Sequence, residues 1–291
     1  PAPRAAAPAA QAAPLAVAAA AAQSREPFRH VVSLGCRCSQ AATFKALQRR
    51  RYACPFDWTF SSAAMIAHCL RDDFATFLDR GQYFLNATLF DAIGLPPGSA
   101  PRDRRLIGHR LYSEMLEGVG RGSVFNHRDP LNSEEDYHYT QRTVERFRRV
   151  LATKDRKLFA MMNLNKQLWI EEDLCELFEE LCARTENFLL LAVDCARNLG
   201  TRARQSEAEV LRSEVRGSCQ LLLCRLPCVG DNTGSYFRDD FDAARARSLL
   251  VQPFRFSLAE DPLPKGGPPR AAEASAAQGH GPAGAPVEEE A

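Results

Sequence analysis

Three continuous apolar stretches, separated by helical patterns, constrain the fold of this chain most strongly. They are residues 157–162, 187–193 and 219–226. Strands that are apolar on both faces are typical of parallel sheets, because crossover helices cover both sides. Apolar residues recur at helical spacing over 170–181, between the first two stretches, and acidic residues stand at the start of that helix. We therefore predict an α/β fold with a mostly parallel central sheet and helices on both faces.

The remaining core segments fit the same architecture. Residues 30–35 read as a strand that ends at a Gly, with a helix after it, and residues 61–79 read as a helix. Ser133 followed by Asp136 resembles a capping box, which predicts a helix that continues to Leu151. Residues 204–216 read as a polar helix that carries Ala208, Val210, Leu211 and Val215.

The two ends of the chain differ in composition from its middle. Residues 1–27 are rich in Ala and Pro, and residues 259–291 are rich in Pro, Gly and Ala and end in an acidic run. Both lack the bulky apolar side chains that offset ordering entropy, so we expect them to be disordered. Residues 28–258 are then a single α/β domain, which is long enough to bury a full core.

Charge and cysteine content limit the partners and the compartment. The chain has 37 basic and 36 acidic residues, a net charge of +1. Such a balance predicts no nucleic acid partner and no anionic lipid surface. No apolar run of about 18 residues occurs outside the alanine tract, so we expect no membrane span. In a domain of this size, ten Cys indicate mostly reduced thiols and a cytoplasmic location. The oligomeric state is left open.

The segment from Ser33 to Cys38 is the most interesting one chemically. It places Cys38 where a strand ends and a helix begins. Unpaired N–H groups and partial positive charge at a helix N-terminus lower the pKa of a thiol and can hold an oxyanion. The alternative interpretation is that Cys36 and Cys38 are small residues packed in a tight turn.

A nucleophilic Cys needs a base, and His127 is the best candidate because it stands in a loop between a short apolar run and a Pro turn. The alternative is a surface loop His, while His138 reads as a helix-face residue. A residue that orients the imidazole could be Asp57, Asp129, Asp194 or Asn126. We favour Asp57, which stands between Phe56 and Trp58, although it could equally cap its loop by accepting backbone amides.

Three motifs occur in a fixed order: Ser-Leu-Gly-x-x-Cys at 33–38, Pro-Phe-Asp-Trp at 55–58 and Phe-x-His at 125–127. Together they resemble a mainly bacterial family of unknown function that is catalogued as papain-like cysteine peptidases. The similarity extends over roughly residues 30–200. It implies that Cys38 and His127 match the family's Cys and His, and that Asp57 matches the Asp of Phe-Asp-Trp.

No cofactor or metal ion is predicted. The spacings of Cys219, Cys224 and Cys228, and of Cys36 and Cys38, are not those of zinc sites. The glycines at 118–122 follow no strand, and neither a dinucleotide fingerprint nor a P-loop is present. Arginines at 49–51 and 102–105 could bind an anionic substrate, or they could be solvated loop charges.

The sequence therefore predicts a thiol-dependent hydrolase or acyl transferase that acts on a peptide or small molecule. Cys38 would be the nucleophile and His127 the base. Two alternatives remain: a sugar- or nucleotide-linked transferase that binds phosphate at residues 33–38, and a non-catalytic binding domain. A short distance between Cys38 and His127 would favour the thiol enzyme, and a long distance would favour the binding domain.

Overall fold

The computed structural model describes residue 17 and residues 26–86, 107–116, 122–163, 171–196, 200–230 and 237–263. The predictions made for nearly all of residues 1–27, for 264–291, for arginines 102–105 and for the glycines at 118–120 lie outside the described residues. Within the described part of the chain, no helix combines the length and apolarity needed to cross a membrane.

A five-stranded mixed sheet forms the centre of the fold. Its strands are β1 (His30–Ser33), β4 (Lys157–Asn163), β5 (Phe188–Ala196), β6 (Glu209–Arg216) and β7 (Cys219–Pro227). They lie in the order β1-β4-β5-β7-β6, and all neighbours are parallel except β6 and β7. A separate antiparallel pair joins β2 (Tyr83–Leu85) to β3 (Ile107–His109). The predicted α/β fold is confirmed.

Helices cover both faces of this sheet. They are α1 (Cys38–Ala46), α2 (Ala63–Arg71), α3 (Ala75–Leu78), α4 (Arg110–Met115), α5 (Glu134–Ala152), α6 (Glu171–Cys182) and α7 (Asp240–Val251), with short 3₁₀ turns at Arg80–Gln82 and Gly200–Arg204. Alternate residues of β5 belong to two separate apolar clusters. One cluster contains residues of α2, α5 and α6, and the other contains residues of α1 and α7.

Two helix predictions can be compared with the structure in detail. Ser133 accepts a hydrogen bond from the Asp136 amide at 3.3 Å, so the cap at the start of α5 is confirmed. The single helix expected over residues 61–79 is instead divided into α2 and α3. Asp73 and Phe74 both have left-handed backbone conformations, with φ of 49° and 62°, and a continuous right-handed helix cannot pass through them.

The polar helix predicted over residues 204–216 is wrong. Residues 209–216 form β6, which pairs antiparallel with β7 through a two-residue connection at Gly217 and Ser218. Gly217 has a φ of +57°, which the tight hairpin requires and most residues avoid. Pairing with the buried strand β7 overrides the local helical pattern. In the sequence, the hairpin is indicated by the Gly-Ser pair between two runs of strand-forming residues.

Candidate thiol–imidazole site

The turn that links β1 to α1 is built on two consecutive left-handed residues. Gly35 has a φ of +84° and Cys36 a φ of +74°. The hydroxyl of Ser61 accepts a hydrogen bond from the Cys36 amide at 2.8 Å and donates one to the Leu34 carbonyl at 2.7 Å. Ser61 is fully buried, so this bridge fixes the path of the chain just before Cys38.

Cys38 is the first residue of α1. The preceding residue, Arg37, is extended, and its own side chain does not cap the helix. The first amides of a helix lack intrahelical acceptors and carry partial positive charge. The Cys38 thiol, whose residue is only 5% exposed, is therefore held at an electropositive helix end.

The structure brings His127 to this thiol. The distance between Cys38 Sγ and His127 Nε2 is 3.0 Å, although the two residues are 89 positions apart in the chain. Backbone pairing holds the loop that carries His127. Phe125 forms isolated antiparallel β-bridges with Thr59 and Ile107. The Phe60 amide also donates a hydrogen bond to the Val124 carbonyl at 2.9 Å. His127 itself is exposed, so the pair can be reached from solvent.

A chain of contacts leads from His127 to Asp57. The rings of Trp58 and His127 meet edge to face, with their centroids 5.7 Å apart. The Arg50 guanidinium lies 5.2 Å from the centroid of the Trp58 ring, and its Nη1 donates to Asp57 Oδ2 at 2.6 Å. Asp57 Oδ2 also accepts the Cys54 amide at 3.0 Å, which is the loop cap considered as the alternative role. Within the described residues, Asp57 makes no hydrogen bond to His127.

The buried carboxyl of Asp57 is electrostatically unusual. It is 1% exposed, and its Oδ1 has no hydrogen-bond partner in the described part of the chain. Burial raises the pKa of Asp57 to about 6, even though the ion pair with Arg50 and the Cys54 amide lower it. The cost of desolvating the carboxylate is thus only partly recovered from its two partners.

This pKa predicts a pH dependence of stability. In the unfolded chain the pKa of an Asp side chain is about 4. Between about pH 4 and pH 6 the folded protein therefore binds more protons than the unfolded chain does. Its unfolding free energy falls as the pH rises through this range. Between about pH 4 and pH 7 we expect the wild type to lose about 2 kcal/mol more unfolding free energy than Asp57→Asn, which cannot titrate there. Urea unfolding followed by circular dichroism measures the difference. Parallel stability curves for the two proteins would contradict it.

The other residues considered for orienting the imidazole have different positions. Asn126 Nδ2 lies 3.4 Å from His127 Nε2, the nitrogen that also faces Cys38. The Asp129 carboxylate accepts the Asn132 amide at 3.0 Å, and Asp194 contacts Asn163 and Arg225, each at 3.4 Å. His138 Nδ1 contacts Gln141 on the exposed side of α5, in agreement with its interpretation as a helix-face residue.

Sequence reasoning missed the parts played by Arg50 and Ser61. The arginines at 49–51 were considered only as a substrate grip or as solvated charge. The side chain of Arg50 is instead 12% exposed and pairs with Asp57, and the Arg49 guanidinium lies 5.0 Å from the centroid of the Phe256 ring. The sequence signal was the proximity of Arg50 to Pro-Phe-Asp-Trp, where a buried carboxylate needs a cation.

A cavity of about 20 Å³ lies beside Trp58 and is bordered by Phe125 and Arg128, which leaves room for about one water molecule. All ten cysteines are free thiols. Among the described residues, no group of three or more His, Cys, Asp or Glu is placed to hold a metal ion.

Comparison with protein families gives a match. A family described as "Putative papain-like cysteine peptidase (DUF1796)" has a model that matches residues 29–193, more than half of the chain. The matched segment begins just before β1, includes Cys38, Asp57 and His127, and ends within β5. No curated protein and no solved structure matches the chain.

Proposed function

Because the chain belongs to the family described as papain-like cysteine peptidases, we propose that it is a thiol-dependent hydrolase or acyl transferase. Cys38 is its nucleophile and His127 its base. The observation that carries this proposal is the 3.0 Å contact between Cys38 Sγ and His127 Nε2, made at the N-terminus of a helix. A thiol and an imidazole within hydrogen-bond reach are the two groups that acyl transfer by a cysteine requires.

The proposed reaction uses the thiol, the imidazole and the amides at the start of α1. His127 Nε2 takes the thiol proton, and the amides at the start of α1 stabilise the resulting thiolate. The thiolate attacks the substrate carbonyl carbon, and the same amides face the developing oxyanion. Protonated His127 gives its proton to the leaving amine, alcohol or thiol, which departs and leaves an acyl-thioester on Cys38. His127 then takes a proton from water, or from an acceptor alcohol or amine, which attacks the thioester and releases the acyl group.

Asp57 has a positioning role in this proposal. It touches neither Cys38 nor His127, but its ion pair fixes the Arg50 guanidinium, which packs on Trp58. Trp58 in turn packs against the imidazole of His127. Aromatic and cation–π contacts of this kind contribute about 1 kcal/mol each, enough to favour one ring orientation over others.

Two buried polar residues support a functional use of this helix end. Ser39 and Gln40 follow the nucleophile directly, and both are buried. The Ser39 hydroxyl and both polar atoms of the Gln40 amide have no hydrogen-bond partner among the residues that the structure describes. Unsatisfied buried groups destabilise a fold, and proteins retain them most often where function imposes a requirement of its own.

The two alternatives are less well supported. A phosphate cradle at residues 33–38 would need the amides of the turn, but the Cys36 amide already donates to Ser61 and the Gly35 amide to the Ser33 hydroxyl at 3.3 Å. A purely structural role for Cys38 does not account for an exposed imidazole held at 3.0 Å from its sulfur.

Competitive alkylation tests the proposal. At about pH 7 we expect limiting iodoacetamide to modify Cys38 about 10 to 100 times faster than Cys175, as read by peptide mass spectrometry. Cys175 is the matched control, because it is more exposed than Cys38 and burial raises its thiol pKa. Exposure alone therefore predicts the opposite order. A Cys38 that reacts no faster than Cys175 would remove the basis for a thiol enzyme.

A further inference from the structure

Among the strands that the structure describes, none pairs with the outer edge of β6. β6 ends the five-stranded sheet and, among the described residues, pairs only with β7. Leu211 and Val215 on this strand are 36% and 42% exposed, and they are two of only three large apolar residues so exposed within the described part of the chain. An edge strand presents a row of unpaired backbone N–H and C=O groups that another strand can bind.

A bulge gives this edge an unusual symmetry. The pairing of β6 with β7 shifts between Val210 and Arg212, so Leu211 is an extra residue that takes no place in the ladder. The paired residues that remain are Glu209, Val210, Arg212, Ser213, Glu214, Val215 and Arg216. In this series, two residues at equal distance on either side of Ser213 are complementary. They are an arginine and a glutamate at the first and third steps, and two valines at the second step.

We propose that β6 binds the β6 strand of a second copy of this chain, antiparallel and centred on Ser213. Arg212 then lies opposite Glu214 of the second copy, and Val210 lies opposite its Val215. Glu209 lies opposite Arg216 of the second copy. Each pair occurs twice, because the two-fold axis relates the two strands.

The charges on one face of the edge fit this pairing in both directions. Arg212, Glu214 and Arg216 alternate in sign along the strand, and Glu214 contacts both arginines within the chain. In the paired strands each of these groups meets the opposite sign across the interface as well. Opposite charges directly across a strand pair are stabilising, and like charges there are destabilising. A peptide of arbitrary sequence would not match this alternation, which favours a second copy as the occupant.

The proposed association is closed and weak. Both copies use their open β6 edge, so the pairing makes a dimer and no filament. One pair of strands with a few exposed apolar side chains buries less than the roughly 1,200 Å² of an ordinary stable interface. We expect a dissociation constant of roughly 1 to 100 µM for the full chain.

Sedimentation velocity on the full chain, from about 1 to 300 µM, tests the proposal. Glu209→Arg is expected to raise the dissociation constant at least about tenfold, because it places two arginines opposite each other. Arg216→Glu should do the same, and the double variant, which restores opposite charges in swapped positions, should return to within about threefold of the wild type. Glu260→Arg changes the charge of an exposed residue away from β6 and should have no effect.

A melting temperature for each variant separates loss of pairing from loss of folding, since Arg216 also contacts Glu179 within the chain. A chain that stays monomeric over the whole range would overturn the proposal. A dimer whose dissociation constant is unchanged by Glu209→Arg would also overturn it. So would a double variant whose dissociation constant stays as high as that of the single variants.

Discussion

Replacing Cys38 with Ser is expected to lower turnover of an activated ester such as p-nitrophenyl acetate by about 10⁴-fold or more. The change substitutes one oxygen for one sulfur and keeps the helix start and the contact with His127. A serine hydroxyl ionises far less readily than a thiol, so the imidazole and the helix amides cannot supply an equivalent nucleophile. Initial rates at saturating ester, with the circular dichroism spectrum as a check of folding, measure the effect.

Cys175→Ser is the control for this experiment. Cys175 lies on α6, 137 residues after the nucleophile in the chain, and is only partly buried. Its replacement should leave turnover within about twofold of the wild type. Turnover that survives in Cys38→Ser would instead support the transferase alternative, in which the thiol takes no part.

Gly35→Ala is expected to destabilise the fold by about 3 kcal/mol. A Cβ atom at this position would lie 2.2 Å from the Ser61 hydroxyl oxygen and 2.8 Å from the Phe56 carbonyl oxygen, at a φ of +84°. Ser61 cannot turn away without losing its bonds to Cys36 and Leu34. The turn must therefore move, and because it leads directly into Cys38, slower alkylation of that thiol should accompany the loss of stability.

Gly217→Ala is the control that separates the cost of a positive φ from the cost of the steric clash with Ser61. Gly217 also has a positive φ, of +57°, but apart from its chain neighbours no atom of the described residues lies within 4 Å of the Cβ that Ala would add. Its replacement should cost about 1 kcal/mol in unfolding free energy and leave the alkylation of Cys38 unchanged. Equal losses for the two variants in urea unfolding would show that the contact with Ser61 does not constrain the turn.

The parallel core of the fold could be predicted from the sequence because each element has its own local signal. β4, β5 and β7 are apolar on both faces, and the start of α5 carries a capping residue at Ser133. β6 has no comparable signal. Its charged and apolar residues fit a helical spacing as well as an alternating one, so the Gly-Ser pair that follows β6 and the pairing with β7 decide between the two.

The candidate site was predictable only in part. Cys38 and His127 could be singled out because a helix start and a loop before a Pro are local features of the sequence. Ser61 contacts the turn before Cys38 from 25 residues away along the chain, and no spacing in the sequence encodes that contact. Arg50 stands near Pro-Phe-Asp-Trp in the sequence, but this proximity alone does not reveal its ion pair with Asp57. Asp57, which the sequence favours for orienting the imidazole, pairs with Arg50 instead.

The architecture bears on what the family description can mean for this chain. The sheet is mostly parallel, whereas the sheet of papain is antiparallel. The family's papain-like description therefore does not extend to the arrangement of strands. For this reason the proposed chemistry is acyl transfer in general, and the nature of the acyl group is left to experiment.

The pH dependence of Cys38 alkylation, measured in the wild type and in His127→Ala, tests the central claim most directly. If His127 and the helix amides stabilise the thiolate, the wild-type rate should reach half its maximum below about pH 7. Loss of the imidazole should move this midpoint upward by at least about one pH unit and slow alkylation at about pH 6 by tenfold or more. A wild-type midpoint near about 8.5, the value of a free cysteine, that is unchanged in His127→Ala would contradict the account.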